Sequence, residues 1–148
     1  MKLTIEYVPV STWGVNVRSL VPQETWDILR RACYKKANYV CEICGGKGDT
    51  HPVECHEIWE YNSITLTQKL IGLIALCPSC HRVKHLGRTQ KVQPDLFVAT
   101  LLHLKTVNAW SDEEFLQYLA ERAKWYQTNK DKPWKVDISW LDSLAVTK

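Results

Sequence analysis

Leu76-Cys77-Pro78-Ser79-Cys80-His81-Arg82-Val83-Lys84-His85 sets a Cys-x2-Cys pair, a helix-opening proline and two histidines into one short run. An earlier pair, Cys41-Glu42-Ile43-Cys44, is followed by Gly45 and Gly46, the composition of a tight turn. Two intervening residues let both sulfurs of a pair point at one ion without straining the backbone. Two such pairs meet the demand of tetrahedral zinc for four thiolates. The pairs are separated by 32 residues, so a hairpin has to be carried inside the loop. Four thiolates leave zinc no open position, which makes this a structural site. Any chemistry must come from other residues. Iron in the same cage, or a set of unrelated core thiols, are the alternatives.

Outward from that run, residues 52–59 can form one strand. Residues 70–76, nearly all apolar, suit a buried second strand, with 60–69 as a polar connection. Pro78 opens a helix expected to stop near Gly87. The first strand carries Glu54-Cys55-His56-Glu57. The helix carries His81 and His85, four apart and therefore on one face, able to grip one ion together. Strand neighbours point to opposite sides, so Cys55 and His56 can have different jobs, one reaching a metal and one facing a substrate.

Taken in order, Cys41-x2-Cys44, Glu54-Cys55-His56-Glu57 and the run from Leu76 to His85 resemble the zinc-stapled branch of the HNH, or ββα-metal, endonucleases. The resemblance covers residues 41–87 and extends to small bacterial HNH proteins of unassigned role. It implies a ββα-metal module in which His56 is the general base that activates water against a phosphodiester. It also implies that Cys55, His81 and His85 hold a catalytic divalent cation. An imidazole can take a proton near neutral pH, and a cation beside the phosphate neutralises developing charge. Arg82, Lys84 and Arg88 are available for the phosphates of DNA. Two positions depart from the family. Cys55 stands where a histidine or aspartate is usual; a thiolate disfavours Mg2+ and favours a softer ion. The cation is thus Mg2+, Mn2+, Ni2+ or Zn2+, with Glu54 or Glu57 as other sources of an oxygen ligand. The family's asparagine on the second strand falls about where Gly72 lies, and Asn62 is the candidate substitute.

The flanks read as additions to this centre. Residues 2–8 alternate in the manner of a half-buried strand. Pro22 opens a helix running to about Asn38, with Trp26, Leu29 and Cys33 at helical spacing and a basic end from Arg30 to Lys36. Residues 95–107 suit a helix, and Ser111-Asp112-Glu113-Glu114 is a capping box for another bearing Phe115, Leu119, Ala123 and Tyr126. The tail, with Trp134, Val136, Ile138, Trp140 and Leu141, suits a short strand or a docked segment. The seven tryptophans read as core fillers of the flanking elements. Cys33 reads as core, and His51 and His103 as ordinary positions. The expected architecture is one α+β domain over 1–148. Its parts are an N-terminal strand and helix (1–40), the zinc-stapled HNH core (41–88) and a C-terminal helical extension (89–148).

A net charge of +3 permits nucleic-acid binding without arguing for it. The longest apolar run, residues 70–77, is far short of the roughly 20 residues a bilayer needs. The N-terminus carries no signal-peptide pattern, so a cytoplasmic protein with reduced thiols is expected, and its six cysteines read as metal ligands before disulfides. The resulting expectation is a metal-dependent HNH endonuclease acting on DNA. The alternatives are a non-catalytic zinc module that binds nucleic acid or protein, and a thiol sensor built on Cys55 or Cys33.

Overall fold

The computed structural model describes residues 1–144. Residues 1–9 run extended and bury Leu3 and Ile5, but they form no strand, contrary to the expectation for 2–8. Their partners are side chains and a helix end instead of a second strand. The Asn108 amide accepts from Leu3 N–H and donates to Leu3 C=O, both at 2.8 Å. The Tyr118 hydroxyl accepts from Ile5 N–H at 2.8 Å, and Lys84 C=O accepts from Glu6 N–H at 3.1 Å. Single bonds to separate groups satisfy the backbone without building a ladder.

A one-turn helix, α1 (Val17–Leu20), is capped by Asn16, and α2 (Gln23–Lys36) follows Pro22. α2 buries Trp26, Leu29 and Cys33 on one face. It ends before Asn38 and Tyr39, whose φ of 52° and 58° cannot continue a right-handed helix. β1 (Glu54–Asn62) and β2 (Thr67–Leu76) form an antiparallel hairpin with a register shift at Ile58/Trp59. Both strands extend into the expected connection. Asn62 closes their turn by accepting from the N–H groups of Ile64 and Thr65 at 2.9 and 3.0 Å.

α3 (Pro78–Lys84) begins at the expected proline, but the chain does not stop at Gly87. It bends at His85 (φ −101°, ψ 42°) and continues as α4 (Leu86–Val92), with Gly87 inside. His81 C=O still accepts from His85 N–H at 3.2 Å, so the backbone turns without losing that bond. α5 (Phe97–Val107) follows a 3-10 turn, and α6 (Asp112–Asn129) starts at the expected capping box. There the Ser111 hydroxyl accepts from Glu114 N–H at 3.1 Å and Glu114 accepts from Ser111 N–H at 2.8 Å. The tail is both strand and docked segment: β3 (Lys135–Asp137) pairs parallel to β2, and a 3-10 turn follows.

The sheet order is β1-β2-β3. β2 is apolar because both its faces are covered. Ile74 and Leu76 pack with Leu3, Ile5, Val83 and Leu104 on one side; Leu70 and Ala75 pack with Val17, Trp26, Leu29 and Leu141 on the other. The fold class is the expected α+β, a ββα unit flanked by helices. The tryptophans divide: Trp26 and Trp134 are buried, whereas Trp13 is 61% exposed. No helix among the described residues is long and apolar enough to cross a membrane.

Candidate metal centres

The turn at residues 41–46 is closed by Cys41 N–H to Gly46 C=O at 2.9 Å and Gly45 N–H to Cys41 C=O at 3.0 Å, with Gly45 at φ 76°. That φ needs glycine. Glu42 fixes the turn to the end of β2. Its N–H donates to Ala75 C=O at 2.9 Å, and its carboxylate accepts from Ala75 N–H at 2.7 Å. Cys41 and Cys44 are thereby set against Cys77 and Cys80 at the start of α3. The four sulfurs lie within 4.8 Å of one another, and Cys44 and Cys77 are 3.6 Å apart. A tetrahedron with metal–sulfur bonds of about 2.3 Å has an edge of about 3.8 Å. The Cys41–Cys80 hydrogen bond holds the Cys41 thiol below its ordinary value and pushes the Cys80 thiol up. The group is positioned to hold a metal ion. His103, from α5, brings Nε2 to 3.2 Å from Cys80 Sγ, a contact that no spacing in the sequence announces.

On β1, alternation sends His56 and Cys55 to opposite faces, and His56 is the one that meets α3. Ligand nitrogens of His56, His81 and His85 lie within 4.8 Å of one another. His81 Nε2 and His85 Nε2 are 3.1 Å apart. Bonds of about 2.1 Å to one cation put such nitrogens about 3.0 Å apart at right angles and about 3.4 Å apart in a tetrahedron. The outer nitrogens are committed to carboxylates: His56 Nε2–H to Glu6 at 3.0 Å, and His81 Nδ1–H to Glu54 at 2.8 Å. His56 Nδ1 is then left buried with no hydrogen-bond partner, the lone pair a cation would satisfy. Burial, then the neighbouring His56 and His81, push His85 down to about 3, so its imidazole is neutral and able to ligate. The hydrogen bond from His81 holds the Glu54 carboxyl below its ordinary value.

The structure does not bring Cys55 to this cluster. Cys55 lies buried on the far face against Cys33, and its thiol is pushed up first by the hydrogen bond with Cys33 and then by burial. The same hydrogen bond holds the Cys33 thiol below its ordinary value. Glu57 also points away, accepting from Val17 N–H at 3.1 Å. Gly72 pairs with Ile58 beside the register shift, and Asn62 is occupied with the hairpin turn instead of the loop around His56. Of the three basic residues, Arg82 donates to Ser79 at 3.2 Å and Lys84 to Thr4 at 2.7 Å. Burial lowers the Lys84 pKa, and Arg88 is exposed. His51, read as ordinary, has Nε2 at 3.3 Å from Glu54 and a side chain 50% exposed. The Glu6 contact joins residues 50 apart and nothing around Glu6 signals it, whereas His51 and Glu54 are only three residues apart.

A stretch of 59 residues is 36% identical to Zorya protein ZorE of Escherichia coli (strain ATCC 8739); it covers 40% of this chain and 16% of that protein. The match thus spans well under two thirds of the relative. No protein-family profile matches the chain, and no solved structure does. The α+β fold, the four-cysteine group and the histidine cluster fit a ββα-metal module.

Proposed function

We propose that this protein is a metal-dependent endonuclease of the HNH type that hydrolyses phosphodiester bonds in DNA, with zinc in its four-cysteine cage. The observation that supports this best is the convergence of His56 from β1 with His81 and His85 from α3, beside a sulfur cage that pins the start of that helix. The cage is closed and structural. Three imidazoles leave positions on a cation for a phosphate oxygen and for water. A bound divalent cation supplies positive charge against which a phosphodiester can be attacked and its leaving oxygen released. An all-nitrogen donor set favours Zn2+ or Ni2+ over Mg2+.

In this reading His56 is a ligand and not the base, because Nε2–H is held by Glu6 and only Nδ1 keeps a lone pair. The proton acceptor is His51, half-exposed and oriented by the Glu54 carboxylate that also holds His81. Arg88 contributes a phosphate contact from the exposed side of α4. The test is plasmid nicking by metal-stripped protein given Mg2+, Mn2+, Ni2+, Co2+ or Zn2+ in turn, beside His56→Ala. Cutting that needs a divalent ion and disappears in the variant is expected; cutting at the parental rate by folded His56→Ala protein would sink the reading. Gly72, at the family's asparagine position, favours a second reading in which the module binds DNA without cutting it. That reading expects strongly salt-dependent DNA binding and no cleavage with any ion.

A further inference from the structure

We infer that Glu6 is a positioning residue of the histidine centre, and that residues 1–9 are a built part of that centre. The inference rests on the reading that His56, His81 and His85 hold a cation. Glu6 brings Oε2 to 3.0 Å from His56 Nε2, and the two side chains are 15% and 3% exposed. A carboxylate on Nε2 requires the proton there, which keeps the Nδ1 lone pair available and stops the ring from rotating away. Glu54 does the same for His81 from within the zinc-stapled core. His56 has no such partner in that core; its partner comes from 50 residues earlier in the chain.

The segment that delivers Glu6 has little slack. Leu3 and Ile5 are buried at 0% and 2% exposure. Their backbone groups are held by Asn108 and Tyr118, and Glu6's own N–H by Lys84 C=O. Glu6 and His56 line, together with Glu57, Lys84 and Arg122, a cavity of about 400 Å³. Glu6 lies outside the set of converging ligand atoms, which makes it a partner of a ligand and not a ligand.

The experiment is a Ni2+ titration of full-length protein with its cysteine cage zinc-loaded, followed by calorimetry and by the visible spectrum of imidazole-bound nickel. Glu6→Ala is expected to weaken Ni2+ binding about 10–100-fold. Zinc content and the melting temperature of the nickel-free protein should stay the same. Glu6→Gln, which can still accept from Nε2–H, should recover part of the loss. Asn108→Ala, which keeps the Glu6 carboxylate but frees the Leu3 backbone that anchors its segment, should weaken binding as well. Parental affinity in Glu6→Ala would overturn the inference. So would a melting temperature that falls in step with affinity, because Glu6 would then be holding the fold alone. A parent that binds Ni2+ but cuts no DNA refutes the nuclease reading and leaves Glu6 standing. A parent that binds none at the cluster overturns both.

Discussion

Cys80 and His81 are neighbours on α3, yet the two ligand groups they belong to are assembled in opposite ways. The cysteine cage is made from two short turns, each of which sets its own pair of sulfurs. The Glu42–Ala75 contact and the shared core around Cys41, Cys77 and Cys80 bring the pairs together. The histidine cluster takes two rings from one helix face and the third from a strand. Its outer nitrogens are held by carboxylates 27 and 50 residues distant in sequence. Each sulfur pair is set locally, and four thiolates leave a bound metal no open position. The imidazole group is tertiary and open, so it can be tuned by residues outside the motif.

The sharpest way to break this contrast is to remove a sulfur. Cys77→Ser should abolish cooperative folding of the hairpin and α3, since the binding energy of a structural zinc site is largely folding energy. Far-UV circular dichroism and thermal melts check it; a parental melt in zinc-free protein would show that the cage is dispensable. His56→Ala should instead leave the fold in place while losing both cation binding and cleavage. Loss of cleavage with cation binding retained would return His56 to the role of base.

His51→Ala should lower kcat by about 10²–10⁴-fold without changing cation affinity, the usual range for a general base. An unchanged pH–rate profile in that variant would remove His51 from the chemistry. Replacing His103 with Phe should speed zinc loss from the cage to a chelator by about 10-fold, the low end for a partner of a metal ligand. The smallest effect is expected at Cys55. Cys55→Ala should leave cation affinity as it is, with at most a modest loss of stability on the α2 side, measured by denaturant titration.

Much of the fold was legible. The hairpin, the proline-led α3, the Ser111 capping box and the four sulfurs all rest on signals that act within a few residues. Two readings failed where a distant partner decided, and a third, Trp13, where a nearby carbonyl did. Residues 2–8 alternate like a strand, but Asn108 and Tyr118 take the backbone bonds a neighbouring strand would have made. Gly87 looked like a helix end, but the bend falls at His85, whose ring is drawn to His81 and His56. Trp13 lies on the surface with its indole N–H donated to Val8 C=O at 2.7 Å.

By itself the sequence determined the sulfur pairs and the His81–His85 pair, because those groups are brought together within a turn of their own backbone. Only the tertiary structure decided which side of β1 faces α3. A strand offers both faces equally, and packing of Cys55 against Cys33 assigns His56 to the cluster. Tertiary packing also brings Glu6 to His56 and His103 to Cys80. No local spacing encodes those two contacts, since each joins segments that meet only in the folded chain, 50 and 23 residues apart.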